Sequence, residues 1–415
     1  MTIQKPFGSQ HHQSSFSANA GSMDRNIVSQ KQNRIFRKTG ALRLLGCAVL
    51  TLCVWATPVA GQSPQQKKFD SIFADWKAAA TTATVAGGKF SVANRDEAAE
   101  LRDTWRKSVA EANRHLQLLI PVAIELFETT EKPSEDLVEF IIRIVEDDFN
   151  KGRYDSAFEL SGMLLDKADS ENQRVLLVRM SSAVMSNRFA EAKKLRDEHT
   201  YLLSDENLQR EVSVLIADID NMIEMYEKET EIREQEAQAD DLPRVSIKTT
   251  KGTIEIELFE NEAPETVGNF IYLVENGVYK EIFFHRTINH FMAQTGGINS
   301  RGQRLEVGYT IYDECEELDA RMHFRGSLSM AKTGEPHSGN SQFFFNFVPT
   351  PFLNNRHTVF GRVIKGWDAL DRITRTHEIT ENGEEKPFEA AVPDRILSAK
   401  VIRKRDHEYK PVRVD

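Results

Sequence analysis

The chain has 415 residues, of which 40% are hydrophobic and 28% charged, enough sequence for two or three soluble domains. Its formal net charge of -10 is unevenly distributed. Residues 1–61 contain seven Lys or Arg and one Asp, a charge of +6, so the remainder carries -16. Because binding to the nucleic-acid backbone depends on dense Lys and Arg, this acidic body argues against a nucleic-acid partner.

The first predicted element is an export signal. Residues 44–60, LLGCAVLTLCVWATPVA, form an uncharged apolar run behind the basic segment RIFRKTGALR. A basic segment, an apolar segment and then small residues are typical of a secretory signal peptide. We therefore expect an exported protein, periplasmic or secreted, with residues 1–61 as its leader and either Met1 or Met23 as its start. The alternative is an uncleaved membrane anchor, because the 17 residues of the run are near the minimum that spans a bilayer.

Cysteine usage predicts a core that is held without disulfides. Cys47 and Cys53 lie in the apolar run, which leaves Cys315 in the exported part of the chain. A single thiol cannot form an intrachain disulfide. Its acidic setting, YDECEELD, also disfavours a reactive thiolate.

Residues 62–205 are predicted to be helical, because they combine few Gly or Pro with much Ala, Leu, Glu and Lys. Within them, GRYDSAFEL and NRFAEAKKL share an Arg, an aromatic residue and an Ala. The spacing is 35 residues both from Tyr154 to Phe189 and from Ala157 to Ala192. This period resembles that of tetratricopeptide helical hairpins, which would bind a protein partner or pack on the domain that follows. Any other array of helical hairpins is the alternative, since two weak copies do not exclude it.

Residues 206–241 are predicted to form a long charged helix that ends at DDLP. Apolar residues from Val212 to Tyr226 recur at helical spacing. The following run, EKETEIREQEAQADD, is so highly charged that we interpret it as a solvated, semi-rigid linker.

From Arg244 the pattern changes to short strands. RVSIKTTKGTIEIELF alternates apolar and polar residues on both sides of a Lys-Gly turn, which predicts a β-hairpin with one buried face. APETVGNFIYLVENG predicts a short helix with Pro264 in its first turn, and later Phe- and Val-rich runs predict further strands. Short strands with one early helix favour a closed β-barrel with flanking short helices over residues 242–405, followed by a tail at 406–415.

Five ordered blocks of this domain resemble the cyclophilin family of peptidyl-prolyl cis-trans isomerases. They are APETVGNF, FFHRTINHFMAQTGG, GYTIYDE, GSLSMAKTGEPHSGNSQFFF and FLNNRHTVFGRV, and the resemblance extends from about Leu242 to Arg403. It implies an isomerase that acts on proline-containing polypeptides without a cofactor or metal. The expected fold class is therefore multidomain: an all-α, tetratricopeptide-like region followed by a cyclophilin-like closed barrel.

The resemblance also implies which residues act. The family's catalytic arginine falls on Arg286, with Phe291 and Gln294 beside it as catalytic residues. The substrate-binding positions form an apolar wall for the proline ring, its rim, and groups that bind the peptide backbone. They fall on Met292, Ala331, Lys332, Gln342, Phe344, Phe352, Leu353 and His357.

Four departures from the family pattern matter, one of which is Thr295 in place of a Gly. Asn289-His290 replaces the usual Pro-Gly before Phe291, so we expect a looser loop there. Lys332 stands where Asn is frequent, with little expected loss because that contact is largely through the backbone. Phe352 stands where drug-sensitive members carry Trp, which argues against cyclosporin binding but not against turnover.

The chemistry explains why an arginine would lie among apolar side chains. Rotation of an X-Pro bond has a barrier of about 18–20 kcal/mol, and the twisted state makes the prolyl nitrogen basic. A guanidinium never loses its proton, so it is a suitable donor to that nitrogen. The alternative for Arg286 is a surface side chain lying over Phe. The rival function is a binding module that recognises proline-containing loops without turnover, with the helical region as its main partner surface.

Overall fold

The computed structural model describes residues 63–94, 97–305, 307–380, 382–389 and 391–414. The predicted leader and apolar run at 44–60 lie outside the described residues. Within the described part of the chain, every helix is too short or too polar to cross a membrane.

Residues 70–119 form one compact unit, which holds most of α1 (Pro64–Ser91) and the first part of α2 (Ala98–Thr129). Inside it, the rings of Phe90 and Trp105 stack with their centroids 5.7 Å apart. Gly87 permits this approach, because a Cβ atom there would lie 3.0 Å from Trp105 Nε1.

The second unit consists of residues 64–69 and the chain from residue 120 onward. Its first part is helical, as the sequence predicts, with a 3₁₀ turn at Thr200–Ser204. The helices are α3 (Glu135–Asn150), α4 (Tyr154–Lys167), α5 (Gln173–Met185), α6 (Phe189–Glu198), α7 (Arg210–Ala217) and α8 (Ile219–Ala239).

The predicted repeat is present in the local geometry of α4 and α6. Tyr154 and Phe189 each begin a helix, and both are buried. Each follows an Arg with nearly the same φ, -87° in the first copy and -89° in the second. The residue before that Arg is left-handed in both copies, Gly152 at φ 79° and Asn187 at φ 65°. The helical-hairpin repeat is therefore a structural unit.

The rest of the second unit is an eleven-stranded sheet with two short α-helices, α9 (Pro264–Glu275) and α10 (Trp367–Asp371), and a 3₁₀ turn at Pro351–Leu353. The strands are β1 (Arg244–Thr249), β2 (Gly252–Leu258), β3 (Ile282–Phe283), β4 (Arg286–Ile288), β5 (Met292–Thr295), β6 (Ser327–Met330), β7 (Phe343–Asn346), β8 (Val359–Lys365), β9 (His377–Ile379), β10 (Glu385–Pro387) and β11 (Arg395–Arg403).

The sheet curls around an aromatic core. Its strand order is β10-β9-β4-β5-β7-β6-β8-β2-β1-β11-β3. The β3 end returns to β5 and the segment after it, where Thr295 Oγ1 donates to Phe283 O (3.0 Å) and Phe283 N donates to Ile298 O (2.9 Å). Inside the curl, the ring of Phe270 lies 5.2 Å from the ring of Phe343. The predicted fold class, a helical-hairpin region followed by a barrel of this kind, is confirmed.

The charged helix differs from the predicted solvated linker. The helix breaks at Asp218 into α7 and α8, and its charged half is an interface. Glu229 and Glu236 are buried because both bind Arg321, which lies between β5 and β6. Arg321 Nε and Nη2 donate to the Glu229 carboxylate at 2.8 and 2.9 Å, and Nη1 donates to Glu236 Oε1 at 2.5 Å. The charge pattern could not show this, because the partner lies far along the chain.

Apolar contacts continue from α6 and α8 into the barrel. Phe324, just before β6, has its ring 4.9 Å from Tyr226 of α8 and 6.2 Å from Phe189 of α6. Phe324 and Phe189 belong to one hydrophobic cluster that extends from the end of α3 to the sheet, and Tyr226 packs against it. Of the two possibilities for the helical repeat, packing on the domain that follows is the one that the structure shows.

Candidate functional site

The site lies on three neighbouring strands, β4, β5 and β7. Antiparallel pairing places Arg286 opposite Gln294, and Gln294 opposite Phe344. The same register places Ile288 opposite Met292. Because strand side chains alternate between faces, Arg286 and Ile288 share one face with Met292, Gln294 and Phe344. The strand register therefore brings a cation, an amide and apolar groups together.

The apolar groups form one small cluster, three of them buried and three partly exposed. We call it the apolar cup, and its members are Ile288, Phe291, Met292, Ala331, Phe344 and Leu353. Five of these are residues that the sequence predicts for the site. Ile288 was missed, although its position two residues after Arg286 on a strand is the signal that places it on the same face.

Phe352 and His357 lie at the rim of the apolar cup. Phe352 is 59% exposed, and its ring centroid lies 5.8 Å from that of Phe291. The His357 ring meets the Phe344 ring edge-on at 5.5 Å, and its Nδ1 lies 3.0 Å from Met330 O. Burial lowers the pKa of His357, so it is a neutral wall residue at neutral pH.

One edge of the Arg286 guanidinium faces the cup. Its Nη1 donates to Gln294 Oε1 at 3.4 Å and lies 3.8 Å from Met292 Sδ. Gln294 Nε2 in turn donates to Gln342 Oε1 at 3.0 Å. The guanidinium carbon is 5.8 Å from the centre of the Phe291 ring. The chain of contacts from Gln342 through Gln294 to Arg286 follows the predicted arrangement.

The opposite edge of the guanidinium is bound by a carboxylate that the sequence did not indicate. Arg286 Nε donates to Glu385 Oε1 at 2.7 Å, and Nη2 donates to Glu385 Oε2 at 2.6 Å. This hydrogen bonding from Arg286 holds the pKa of the Glu385 carboxyl below its usual value, although partial burial opposes the shift. Glu385 lies 99 residues from Arg286, on β10, outside the five blocks. No local pattern could have found it.

Ala331, a member of the cup, and Lys332, next to it in the chain, have some of their polar groups occupied within the protein. The backbone N–H of Ala331 donates to Gln342 O at 2.9 Å. The Lys332 ammonium lies 2.5 Å from Asp313 Oδ2. The Lys332 side chain is thus bound to Asp313, and substrate binding through the backbone at this position stays a prediction.

The turn before the cup is held by the helical region, contrary to the expected looser loop. Asn289 Nδ2 donates to Asn150 O at 2.7 Å. The His290 ring stacks on Phe149 with centroids 5.4 Å apart, and its Nδ1 lies 2.6 Å from the Tyr154 hydroxyl. Asn and His, which replace Pro and Gly here, supply the groups that bind the end of α3 and the start of α4.

His323 is a further buried neighbour that sequence reasoning did not assign to the site. Its ring lies nearly parallel to that of Phe344, with centroids 6.3 Å apart, and its Nδ1 lies 2.9 Å from Asn354 Oδ1. Burial lowers its pKa to about 4, so it is neutral above that range. Among the described residues, no group of three His, Cys, Asp or Glu side chains is arranged to bind a metal.

The barrel part of the chain is similar to known proteins. The family described as cyclophilin type peptidyl-prolyl cis-trans isomerase/CLD matches residues 244–401. A peptidyl-prolyl cis-trans isomerase-like 1 of Emericella nidulans is 36% identical over 168 residues, 40% of this chain and 98% of its own length. A peptidyl-prolyl cis-trans isomerase of Acinetobacter baylyi is 39% identical over 152 residues, 34% of this chain and 80% of its own length. A crystal structure of a cyclophilin from Hirschia baltica matches with a TM-score of 0.33 and 26% identity, over 40% of this chain and 80% of that one.

Proposed function

Because this chain belongs, through residues 244–401, to the cyclophilin-type peptidyl-prolyl cis-trans isomerases, we propose that it accelerates X-Pro rotation in exported proteins and that Arg286 stabilises the twisted amide. The proline ring of the substrate would occupy the apolar cup. Proline-containing polypeptides are then its substrates, and the reaction transfers no group and changes no oxidation state.

The observation that carries this proposal is the position of Arg286 Nη1. It lies against Gln294 and Met292, at the wall of the cup, so a ring seated there would bring its nitrogen next to a guanidinium N–H. The other two guanidinium nitrogens donate to Glu385. One donor edge is therefore directed at the site where the reacting atom would lie.

Two contributions would lower the rotation barrier: a hydrogen bond from Arg286 and the binding of the proline ring in the cup. A charge-assisted hydrogen bond to the twisted nitrogen contributes about 1.5–3 kcal/mol. At about 1.4 kcal/mol for each factor of ten in rate, this accounts for roughly one to two decades. The remaining acceleration must come from binding the ring while the preceding residue turns, which is preferential binding of the twisted form.

The test is a protease-coupled isomerisation assay on a Pro-containing peptide. We expect turnover by the purified chain, and Arg286→Ala should lose most of it while its circular dichroism spectrum and melting temperature stay unchanged. Arg372→Ala is the matched control, since Arg372 is a half-exposed arginine that binds Asp368 and the backbone of Lys251. Full activity in Arg286→Ala would contradict the role of Arg286. Peptide binding without turnover by the wild-type chain would favour the binding-module alternative.

The proposal that the protein is exported rests on residues 44–60 and the basic segment before them. Uncatalysed X-Pro isomerisation takes tens to hundreds of seconds, slow enough to limit the folding of secreted proteins. The test is to fractionate cells that express the full chain and to measure the intact mass of the recovered protein. A soluble exported product that begins near residue 62 supports a cleaved signal, and a full-length membrane-bound product supports an anchor. A full-length chain in the cytosolic fraction would contradict export.

A further inference from the structure

Glu385 is placed against Arg286 by a hairpin, β9–β10, that is itself fixed to β4. Thr287, the neighbour of Arg286, exchanges two hydrogen bonds with Thr376 at the base of the hairpin, each of 2.9 Å. Ile288 pairs with His377 at the start of β9. Within the hairpin, Glu385 lies opposite Ile379. The backbone that carries the carboxylate is thus connected to the backbone that carries the guanidinium.

The contact between the two side chains is a two-point fork. Nε and Nη2 bind the two oxygens of one carboxylate, which fixes the plane of the guanidinium as well as its position. Both side chains are 31% exposed, so the pair contributes little to the stability of the fold. Its main consequence is geometric: with two nitrogens bound on one side, Nη1 must face Gln294 and the apolar cup.

We propose that Glu385 is a positioning residue for isomerisation, which holds the Arg286 guanidinium in the plane that directs Nη1 at the prolyl nitrogen. This rests on the proposed role of Arg286. Without the carboxylate, the long arginine side chain samples several rotamers, and part of the donor's alignment is lost in the step that twists the bond. The seat for the proline ring does not include Glu385, so substrate affinity should change little.

The first test separates kcat from KM. We expect Glu385→Ala to lower kcat about 2- to 5-fold, the effect of an exposed ion pair expressed as a rate, with KM changed less than twofold. Glu385→Gln keeps one acceptor oxygen, so its kcat should lie between those of the wild type and Glu385→Ala. Glu384→Ala is the matched control, because Glu384 is an exposed carboxylate on the same hairpin that pairs with Lys386 instead of Arg286. In an Arg286→Ala background, Glu385→Ala should cause no further loss.

The second test observes the guanidinium directly. The Arg286 Nε–Hε signal in a proton–nitrogen NMR spectrum, assigned by its absence in Arg286→Ala, should be sharp and slow to exchange in the wild type. It should broaden or exchange rapidly in Glu385→Ala but not in Glu384→Ala.

The outcomes distinguish the two proposals. Unchanged kcat in Glu385→Ala, with Arg286→Ala inactive, would overturn the positioning role and leave the proposed function intact. A raised kcat would also overturn it, because the carboxylate would then compete with substrate for the guanidinium. An active Arg286→Ala variant would overturn both.

Discussion

The hydroxyl of Tyr154, at the start of α4, lies 2.6 Å from Nδ1 of His290, in the turn between β4 and β5. Burial raises the pKa of Tyr154 and, with a smaller contribution from Arg375, lowers the pKa of His290 to about 3. Both groups are therefore neutral at neutral pH, and one hydrogen bond joins the hydroxyl to the imidazole nitrogen. A residue of the helical repeat thus directly holds the turn that precedes Phe291 and Met292.

Tyr154→Phe should lower the free energy of unfolding by about 1–3 kcal/mol, because it leaves a buried imidazole nitrogen without its hydrogen-bond partner. The measurement is equilibrium unfolding in urea. Tyr201→Phe is the control, since Tyr201 is largely exposed and should change the midpoint little. Equal midpoints for Tyr154→Phe and wild type would show that the contact contributes nothing to stability.

Stability should fall as the pH is lowered from 7 to 5. The pKa of His290 is about 3 and that of His323 about 4, both lowered mainly by burial from an ordinary value of 6.5. Each histidine stabilises the fold above pH 6.5, and this contribution is lost as the pH falls toward the folded pKa, because the unfolded chain binds the proton first. At pH 5 the loss is about 2 kcal/mol for each histidine. Urea unfolding of wild type and His290→Gln at both pH values checks this: the variant should show the weaker pH dependence, and parallel changes would contradict it.

Arg321→Met should destabilise the protein by about 3–5 kcal/mol, because it removes the buried cation that the carboxylates of Glu229 and Glu236 share. Each buried carboxylate then keeps one arginine, Arg233 for Glu229 and Arg362 for Glu236. Arg233→Met is the matched control, since Arg233 also binds Glu229 (2.7 Å) but is 28% exposed in its side chain. It should cost less than about 1 kcal/mol. Chemical unfolding at pH 7 measures both variants. Similar losses in the two would contradict a special role for the buried cation.

The pH dependence of the Arg321→Met defect has a definite sign. Burial alone would raise the pKa of Glu229, but hydrogen bonding and charge from Arg321, with smaller contributions from Arg233, hold it below its ordinary value. In the wild type this stabilisation is therefore present above about pH 4.5 and is lost as the pH falls through the lowered pKa. In the variant the pKa rises instead, so protonation favours the fold and the gap to wild type should narrow between pH 7 and pH 5. A gap that widens would contradict this account.

Phe352→Trp should increase cyclosporin affinity by about tenfold, the effect of one larger aromatic contact at the rim of the cup. Phe352 is exposed and packs on Phe291, so the larger ring has room at the rim. Turnover of a short peptide should change less than twofold, because the cup itself is unaltered. Calorimetric titration with cyclosporin measures affinity. An affinity equal to that of wild type would show that residue 352 does not limit drug binding in this chain.

Most residues of the candidate site could be predicted from the sequence, because they are close together in the chain or lie in short recognisable blocks. Arg286, Phe291, Met292 and Gln294 fall within nine residues, and strand alternation and the family resemblance place their side chains together. Phe344 joins them through the pairing of β5 with β7. The curled sheet could likewise be predicted, because its hairpins and apolar strands are local patterns.

What the sequence did not indicate are contacts between distant residues. Glu385 is one exposed acid among many on a hairpin without an apolar pattern. The acids of α8 look solvated because a charge pattern does not show which of its members meet a distant arginine. Asn289 and His290 suggested a looser loop because their partners, near residue 150, are also distant in the chain.

The short passage from α8 to β1 is fixed to the barrel by two arginines, Arg244 and Arg403. Asp240 is left-handed, at φ 42°, and is held by Arg244 through a hydrogen bond of 2.9 Å and by Arg403, which donates to its carbonyl at 2.8 Å. The connection between α8 and β1 is therefore not a flexible linker, whose length would set the range of distances between the two elements that it joins. The helices α4–α8 and the apolar cup are therefore held at a fixed separation.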